Sequence, residues 1–338
     1  MADRTGLSVG IAAGGIVALM IFLGSQGLRH FDWALLPYAM ASIFSAGAIA
    51  YRYTVWLKRP PTWRYWVQGW RLFVRRPVAH TLCLVRAFGD NFAAQRFIGR
   101  RSRVRWVMHA CLSWGSLLAF GITFPLVFGW IHFETPPHDP TVYRMLVLGL
   151  AVTEFPVESL HAALVFNALN ASAIMVLIGI ALAVRQRMTD PGVLAVQQFG
   201  NDIIPLLLLF AVAATGLGLT VSARWLEGGF GFIALTHMAA VVAMLLYLPF
   251  GKFFHIFQRA AQLGVAVYKQ AAQSGPLASC ARCREPFTSR MQAEDLKQVL
   301  DDLGMDFRLQ GPLTHYQEIC PACRRRLWAL TQAKCLGR

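Results

Sequence analysis

Apolar residues are grouped along this chain into six runs of about 20 residues, separated by polar and basic segments. A run of this length, folded as an α-helix, matches the thickness of the apolar core of a bilayer. The pattern therefore predicts an all-α, polytopic membrane bundle of about six transmembrane helices. The predicted spans are Leu7–Leu23, Trp33–Trp56, Val104–Trp130, Pro156–Val184, Ile203–Ala223 and Phe230–His255.

The distribution of charge orients this bundle. The 338 residues are 56% hydrophobic and 14% charged, with a mean hydropathy of +0.47. Residues 58–105 contain twelve Lys and Arg side chains and one acidic residue, Asp90. The positive-inside rule places such a segment in the cytoplasm, and six spans then put both termini there as well. We therefore expect a multi-pass protein of the bacterial cytoplasmic (inner) membrane. The net charge of +15 indicates this orientation and contact with anionic membrane lipid, and we expect no nucleic-acid binding.

Four segments are predicted along the chain. Residues 1–57 form an N-terminal transmembrane hairpin, 58–103 a basic cytoplasmic interfacial segment, 104–258 a four-helix transmembrane domain, and 277–338 a small cytoplasmic module. In the basic segment, Trp63, Trp66 and Trp70 among arginines are typical of a helix lying at the membrane interface, although the same segment could dock a soluble partner. In the module, Ser289 and Gln292 predict a capping box that begins a helix over 290–303.

Two histidines in the sixth apolar run carry the main functional hypothesis. His237 and His255 are 18 residues apart, which is about five turns of one helix, so both imidazoles would leave the same face roughly 27 Å apart. Pro249 interrupts this run before His255 and should kink the helix, which would modify the same-face geometry. Ionisable side chains inside a membrane are costly and are functional candidates by default. Imidazoles from facing helices commonly hold haem iron. The pair therefore predicts two b-type haems, one near each membrane surface, within residues 104–258.

Each haem needs a second histidine at a matching depth. His109, near the cytoplasmic start of the third span, matches His255. His161, near the outer start of the fourth span, is the best partner for His237, and His132 is the alternative. A protein with a single haem between His109 and His255 also stays open.

Charged residues near these histidines have possible supporting roles. Arg105 and Lys252, close to His109 and His255, could pair with haem propionates, or they could be ordinary cationic flanks of a span. A quinone site needs a proton carrier near a haem edge. Glu154 and Glu158 could serve at an outer quinone site and Asp202 at an inner one, although each such residue is more often just a carboxylate at a helix end.

The stretch from His237 to His255, with its turn Pro249-Phe-Gly-Lys252, resembles the last haem-binding helix of the respiratory nitrate reductase gamma subunit. It is also similar to related membrane subunits of heterodisulfide reductase and of sulfite-reduction complexes. The stretch Arg103–Gly115, which contains His109, resembles the other ligand-bearing helix. The resemblance covers residues 100–258 and implies a di-haem cytochrome b that passes electrons between membrane quinone and a cytoplasmic iron–sulfur subunit. One position departs from the family, because Ala119 stands where the nitrate reductase subunit has a second histidine.

Two Cys-x-x-Cys pairs lie in the C-terminal module. Cys280 and Cys283 form the first pair, and Cys320 and Cys323 form the second. Each pair can clamp one edge of a tetrahedral metal, so the two pairs predict a closed, zinc-ribbon-like site with four thiolate ligands. Structural zinc is the first interpretation, with a single iron or a small iron–sulfur cluster as the alternative. Such a module could dock a soluble subunit.

These observations lead to one functional prediction and two alternatives. The prediction is a membrane cytochrome b subunit of a respiratory oxidoreductase complex. It would be the quinone-reacting, electron-transfer subunit, and we do not expect a stand-alone enzyme. The alternatives are a haem-free transporter, or a membrane anchor whose zinc module recruits a partner. In each case the terminal substrate would be handled by a subunit other than this chain.

Overall fold

The computed structural model describes residues 3–226, 228–309 and 315–336. The helices in these residues, in chain order, are α1 (Arg4–Gly24), α2 (Leu36–Leu57), α3 (Pro60–Arg75), α4 (Pro77–Phe88), α5 (Arg96–Gly99), α6 (Arg103–Val127), α7 (Leu160–Thr189), α8 (Pro191–Ala195), α9 (Ile204–Trp225), α10 (Phe230–Tyr247), α11 (His255–Gln273), α12 (Arg290–Asp302) and α13 (Pro321–Cys335). Of the helices described, α1, α2, α6, α7, α9 and α10 are long and apolar enough to cross a membrane. The predicted all-α polytopic fold is confirmed.

The first two spans approach closely because both carry glycine where they cross. A Cβ atom on Gly47 would lie 3.0 Å from the carbonyl oxygen of Gly10, so even a methyl group there would push the two helices apart. Association between helices in a bilayer depends on such close packing, since lipid tails are as apolar as the helices themselves. The chain enters α1 through Asp3, whose carboxylate accepts a hydrogen bond from the Gly6 N–H at 2.6 Å.

The four later spans pack in chain order, with α6 on α7, α7 on α9, and α9 on α10. Small residues again set the closest approach. A Cβ on Gly115 of α6 would lie 2.9 Å from the carbonyl oxygen of Ser172 on α7. Phe120 of α6 packs against two buried apolar clusters, one that joins Phe128 and Leu245 to residues of the first two spans and one that contains Val176 and Met244.

The sixth span is shorter than predicted. The helix α10 ends at Tyr247, a short 3₁₀ turn follows over Lys252–Phe254, and α11 begins at His255. The physical reason is Pro249, which has no N–H to donate and whose ring disfavours a continuing helix. The span predicted over Phe230–His255 therefore ends too late, and the kink predicted at Pro249 is a complete break of the helix. The same-face argument for His237 and His255 does not apply.

The connection between α6 and α7 contains a three-stranded antiparallel sheet that the sequence analysis did not predict. Its strands are β1 (Ile131–Glu134), β2 (Val142–Val147) and β3 (Leu150–Pro156), in the order β1-β2-β3. Leu148 and Gly149 connect β2 to β3, and both have positive φ, 52° and 83°. Positive φ at both central residues is typical of the tightest hairpin turns.

The C-terminal module begins with the hairpin of β4 (Leu277–Ser279) and β5 (Pro286–Ser289). The helix α12 follows at Arg290 and ends at Asp302, ahead of Gly304 with φ +70°, which confirms the predicted helix. The predicted capping contact differs, because the side-chain oxygen of Gln292 accepts a hydrogen bond from Thr288 at 3.2 Å and the Ser289 hydroxyl makes no capping bond. Within 277–338, residues 310–314 and 337–338 lie outside the described part of the chain.

The chain divides into two compact units, and their boundaries differ from the four predicted segments. One unit contains residues 3–54 and 93–256, and the other contains 55–92 and the described residues of 257–338. The second unit therefore joins most of the basic interfacial segment to the cysteine module.

Asp295 on α12, which is 2% exposed, connects the helices of this second unit. Its carboxylate accepts hydrogen bonds from Arg64 at 2.9 Å and Gln68 at 3.2 Å, both on α3, and from the hydroxyl of Tyr268 on α11 at 2.7 Å. A local sequence pattern does not reveal such a contact, because its partners lie far apart in the chain.

Candidate functional site

His109 lies on α6 and is held by a buried glutamine. Its Nδ1 atom is 2.8 Å from Oε1 of Gln95, and Nε2 of Gln95 donates a hydrogen bond to the hydroxyl of Ser113 at 2.6 Å. The Ser113 hydroxyl itself donates to the carbonyl of His109 at 2.8 Å, so it accepts from Gln95 and fixes which way the amide points. An amide oxygen only accepts hydrogen bonds. Nδ1 of His109 therefore carries the proton, and the lone pair of the neutral ring is on Nε2.

Gln95 reaches His109 from an unusual backbone conformation. Its φ and ψ are 49° and 38°, in the left-handed region that side-chain-bearing residues seldom adopt, and the residue is only 5% exposed. Strained backbone conformations of this kind collect at functional sites. The sequence analysis missed Gln95, and no local sequence signal marks a glutamine for this role.

His255 is the first residue of α11, and its ring is held by the turn before it. Its Nδ1 atom is 2.6 Å from the carbonyl oxygen of Lys252. A carbonyl only accepts, so Nδ1 carries the proton here too and the lone pair of the neutral imidazole is on Nε2. The turn is supported from α2, where Arg52 donates a hydrogen bond to the carbonyl of the buried Pro249 and stacks 4.3 Å from the ring centre of Phe254.

His237 on α10 faces α9. Its Nδ1 atom is 2.9 Å from the hydroxyl oxygen of Thr215, and that hydroxyl donates its own hydrogen to the carbonyl of Ala211 at 2.5 Å. Nδ1 of His237 is therefore the donor, and the neutral ring again has its lone pair on Nε2. The adjacent residue on α9 is Gly216, where a Cβ would lie 3.4 Å from the imidazole.

Residues close in sequence to His109 and His255 pack against one apolar cluster. The cluster is built from Val176 and Met244 with their buried neighbours, and both Leu112 and Phe253 pack against it. Leu112 follows His109 by three residues and Phe253 precedes His255 by two. Sequence neighbours of the two histidines predicted to share a haem thus contact the same cluster.

The two predicted partners of His237 have other neighbours. His161 is exposed at the start of α7, and its ring packs edge-on against Phe155, with 4.6 Å between ring centres. His132 lies in β1, stacks on His30 with 5.1 Å between ring centres, and has its Nε2 atom 3.4 Å from a carboxylate oxygen of Glu134. Neither contact brings the ring to His237.

The two cationic candidates for haem propionates form ion pairs with carboxylates. Arg105 is 3.3 Å from Asp190, at the end of α7, and both side chains are more than 40% exposed. Lys252 pairs with Asp202, whose other carboxylate oxygen accepts a hydrogen bond from the N–H of Gln198 at 3.0 Å. Asp202 lies in the turn that leads into α9, so this pair ties that turn to the turn before His255.

The two glutamates proposed as outer proton carriers lie in the sheet and just after it. Glu154 of β3 is directly opposite Arg144 of β2 and pairs with it at 2.6 Å. Glu158 is exposed and precedes Ser159, which caps α7 by accepting from the Ala162 N–H at 3.1 Å. The pair with Arg144 gives Glu154 a structural role in the hairpin.

The four predicted metal-ligating cysteines come together in the C-terminal module. The sulfur atoms of Cys280, Cys283, Cys320 and Cys323 all lie within 4.8 Å of one another, and those of Cys283 and Cys320 are 3.7 Å apart. The first pair lies in the turn between β4 and β5, where Arg284 has a φ of +65°, and the second pair enters α13. Zinc–sulfur bonds of about 2.3 Å at a tetrahedral centre place sulfurs roughly 3.8 Å apart, which agrees with the observed spacing.

Backbone N–H groups point at the sulfur atoms of this cluster. Cys280 accepts from the N–H groups of Arg282 and Cys320, at 3.4 and 3.3 Å, and Cys320 accepts from the Cys323 N–H at 3.4 Å. Burial raises the pKa of the Cys280 thiol, but these donors outweigh it and lower the pKa to about 6. Burial and the neighbouring thiols raise the pKa of Cys323 to about 12. The backbone N–H groups thus favour a single thiolate, at Cys280. Four thiolates at this spacing would repel one another unless a bound cation neutralised their charge.

Comparison of the chain with protein-family models, with curated proteins and with solved structures finds no match. The resemblance to the nitrate reductase gamma subunit stays a prediction.

Proposed function

We propose that this chain is a membrane cytochrome b subunit that passes electrons between membrane quinone and a cytoplasmic iron–sulfur partner. The observation that carries the proposal is common to His109, His255 and His237. In each ring Nδ1 is committed as a donor to a protein oxygen, and the lone pair is on Nε2. Histidines that bind metals are typically held in this way, since the second nitrogen fixes the tautomer and the ring orientation.

The three oxygen atoms that accept from Nδ1 belong to different chemical groups. One recurring local backbone motif therefore does not explain why all three rings have the same tautomer. His109 uses a side-chain amide, His255 a backbone carbonyl and His237 a hydroxyl. A neutral imidazole with its lone pair on Nε2 is the donor that haem iron takes in b-type cytochromes. The residues present therefore fit haem, which supplies one-electron transfer when it is bound. His109 and His255 would hold the first haem, and His237 would hold a second with His161 or His132.

The protein's own part in this function is to orient the ligands and to place charge near them. Gln95, Thr215 and the Lys252 carbonyl fix the three rings before any cofactor binds. The pair of Lys252 with Asp202 places a cation and a carboxylate beside the turn that holds His255. Asp202 is thus the better placed of the candidate proton carriers for a quinone at the predicted cytoplasmic side.

For the cysteine cluster we propose structural zinc. The sulfur spacing and the N–H donors support a closed site with four ligands and no open position for a substrate. We further propose the bacterial inner membrane, with both termini in the cytoplasm, from the excess of Lys and Arg in 58–105. The zinc module would then face the same compartment as the iron–sulfur partner.

Haem content tests the main proposal. We would record the dithionite-reduced minus oxidised visible spectrum of the purified chain and measure haem per chain. Two b-type haems are expected. His109→Ala and His255→Ala should each remove the same haem, His237→Ala should remove the other, and the matched control His138→Ala, in the exposed connection before β2, should keep both. A well-folded protein without haem would refute the proposal and favour the transporter or the anchor.

Metal analysis tests the cysteine cluster separately. One zinc per chain is expected, with loss of zinc in the double variant Cys280→Ser/Cys320→Ser. Cys335→Ser is the control, because Cys335 is an exposed thiol outside the cluster. Visible absorbance from bound iron in place of zinc would overturn this assignment and support the iron alternative.

A further inference from the structure

The helices α3 and α4 each present an exposed apolar stripe. On α3 it contains Trp63, Trp70 and Val74, which are 50%, 53% and 70% exposed. On α4 it contains Val78 and Leu82, at 88% and 55%, and continues through Val85 and Phe88. These positions recur at intervals of three, four or seven residues, which places them on one face of each helix. Both stripes resemble the buried face of an amphipathic helix but are not covered by the rest of their unit.

The opposite face of each helix is the one that packs within the unit. On α3, Arg64 and Gln68 donate to Asp295, and a Cβ on Gly69 would lie 3.1 Å from the carbonyl oxygen of Gly264 on α11. On α4, the buried His80 is 3.2 Å from the side-chain oxygen of Gln270, also on α11. The cysteine module and α11 therefore occupy one side of α3 and α4, and the aromatic and aliphatic stripes occupy the other.

Charge and chain connectivity identify what covers the stripes. Residues 58–88 contain seven Lys and Arg side chains and no acidic residue. Only Lys58 and Arg59 separate α3 from the membrane-crossing helix α2, so α3 begins at the membrane surface. Tryptophan is enriched at that level of a bilayer, where its ring is partly apolar and its N–H finds water or headgroups. A basic, tryptophan-rich amphipathic helix at a membrane surface is attracted to anionic lipid.

We propose that α3 and α4 form a platform that lies in the membrane interface, with its apolar stripes in the acyl region and its exposed arginines, Arg71, Arg75 and Arg76, on anionic phospholipid headgroups. The contacts of Arg64, Gln68 and His80 then hold α11 and α12 on the water side of this platform. The proposal is independent of haem and of the bound metal.

Depth measurements on the full chain in lipid nanodiscs test the position of the stripes. A spin label would be attached through a genetically incorporated keto amino acid, which leaves the native cysteines untouched. The labelled sites are Val78 and Leu82 on the stripe, and Gln298, an exposed residue of α12, as the matched control. Labels at Val78 and Leu82 should collide with oxygen and be shielded from a water-soluble nickel complex, and the label at Gln298 should do the reverse.

Two outcomes would overturn the proposal. Stripe labels as accessible to nickel as the Gln298 label would place the stripe in water. Stripe labels shielded from both reagents would mean that protein covers it, which in a purified sample is a second copy of the chain.

Lipid preference tests the charged part of the proposal. Binding of phosphatidylglycerol would be compared with that of phosphatidylcholine in the same nanodiscs. The variant Arg71→Gln/Arg75→Gln/Arg76→Gln should lose most of the preference, because each cation near an anionic surface contributes roughly fivefold. The control Arg325→Gln/Arg326→Gln, which alters exposed arginines of α13, should keep it. Equal loss in both variants would show a general effect of net charge and would refute a specific platform.

Discussion

Removing the Asp295 carboxylate should destabilise the second unit more than substitution of an exposed residue of that unit does. Asp295→Ala leaves the buried hydroxyl of Tyr268 and the side chains of Arg64 and Gln68 without their acceptor. Breaking one partner of a buried charged pair costs about 3–5 kcal/mol. The Arg64 side chain is 29% exposed, so water recovers part of its solvation, and we expect the lower end of that range, about 3 kcal/mol.

Hydrogen exchange of the α12 amides measures this loss directly, because local opening depends on the free energy that holds the helix in place. A loss of about 3 kcal/mol corresponds to exchange that is faster by roughly a hundredfold. Asp301→Ala is the control, since Asp301 is an exposed residue of the same helix and such changes usually stay within about 0.5 kcal/mol. Exchange in Asp295→Ala equal to that in Asp301→Ala would refute the assigned role of the carboxylate.

A double variant separates the net value of the pair from the penalty of breaking it. Arg64→Met/Asp295→Leu replaces both charges by apolar side chains of similar length. Such replacements are often neutral or stabilising. We therefore expect slower exchange in the double variant than in Asp295→Ala alone. Exchange in the double variant as fast as in Asp295→Ala would show that leaving Arg64 without its partner carries no separate penalty.

Three further predictions follow from single contacts. Gln95→Leu removes the hydrogen-bond acceptor of Nδ1 of His109, which makes the imidazole a weaker electron donor to iron. A redox titration should find the midpoint potential of the proposed haem raised by about 40 mV, the equivalent of one hydrogen bond of about 1 kcal/mol. An unchanged potential would argue against Gln95 as a positioning residue. Gly69→Ala should destabilise the crossing of α3 and α11 by about 1–3 kcal/mol, because the new Cβ would contact the Gly264 carbonyl. Gly264→Ala should be tolerated, since the space around a Cβ at that position is open. The midpoint temperatures of thermal unfolding of the two variants test this difference. Burial, and then the hydrogen bond to Asp295, raise the pKa of Tyr268 above its usual value of 10.0. The stability that this hydroxyl contributes should therefore be complete below about pH 10 and be lost as the pH rises further. Tyr268→Phe should flatten that part of the pH profile of thermal unfolding, and an unaltered profile would assign the loss to another group.

The spans could be predicted from the sequence because hydrophobic run length alone decides whether a helix can cross a bilayer. Five of the six predicted spans agree with observed helices to within a few residues. The sixth was wrong at one end, because Pro249 ends the helix completely where the sequence predicted only a kink. The sheet between α6 and α7 was missed because its strands are short and its turn at Leu148 and Gly149 has none of the usual turn residues before the glycine.

The cysteine cluster could be predicted because its ligands come in two local pairs with a recognised spacing. The contacts that position the histidines could not. Gln95 contacts His109 because its own backbone is left-handed, and Thr215 contacts His237 from the neighbouring helix. No local sequence pattern indicates either contact. Asp295 was missed for a similar reason, because an acid in an amphipathic helix is usually in water.

The long separation between Arg64 and Asp295 has a consequence for how the protein is made. The two residues are 231 positions apart, and at roughly 5–20 residues per second a ribosome needs about 10–50 seconds to go from one to the other. During that interval four further spans are synthesised, and Arg64 and Gln68 of α3 lack the acceptor that they have in the folded chain. Binding of α3 to the membrane interface during this interval would keep it from pairing with other nascent chains. Release of the chain before α12 is synthesised would leave all six spans present and the second unit incomplete. Such truncated chains are the ones we expect quality-control proteases to remove first.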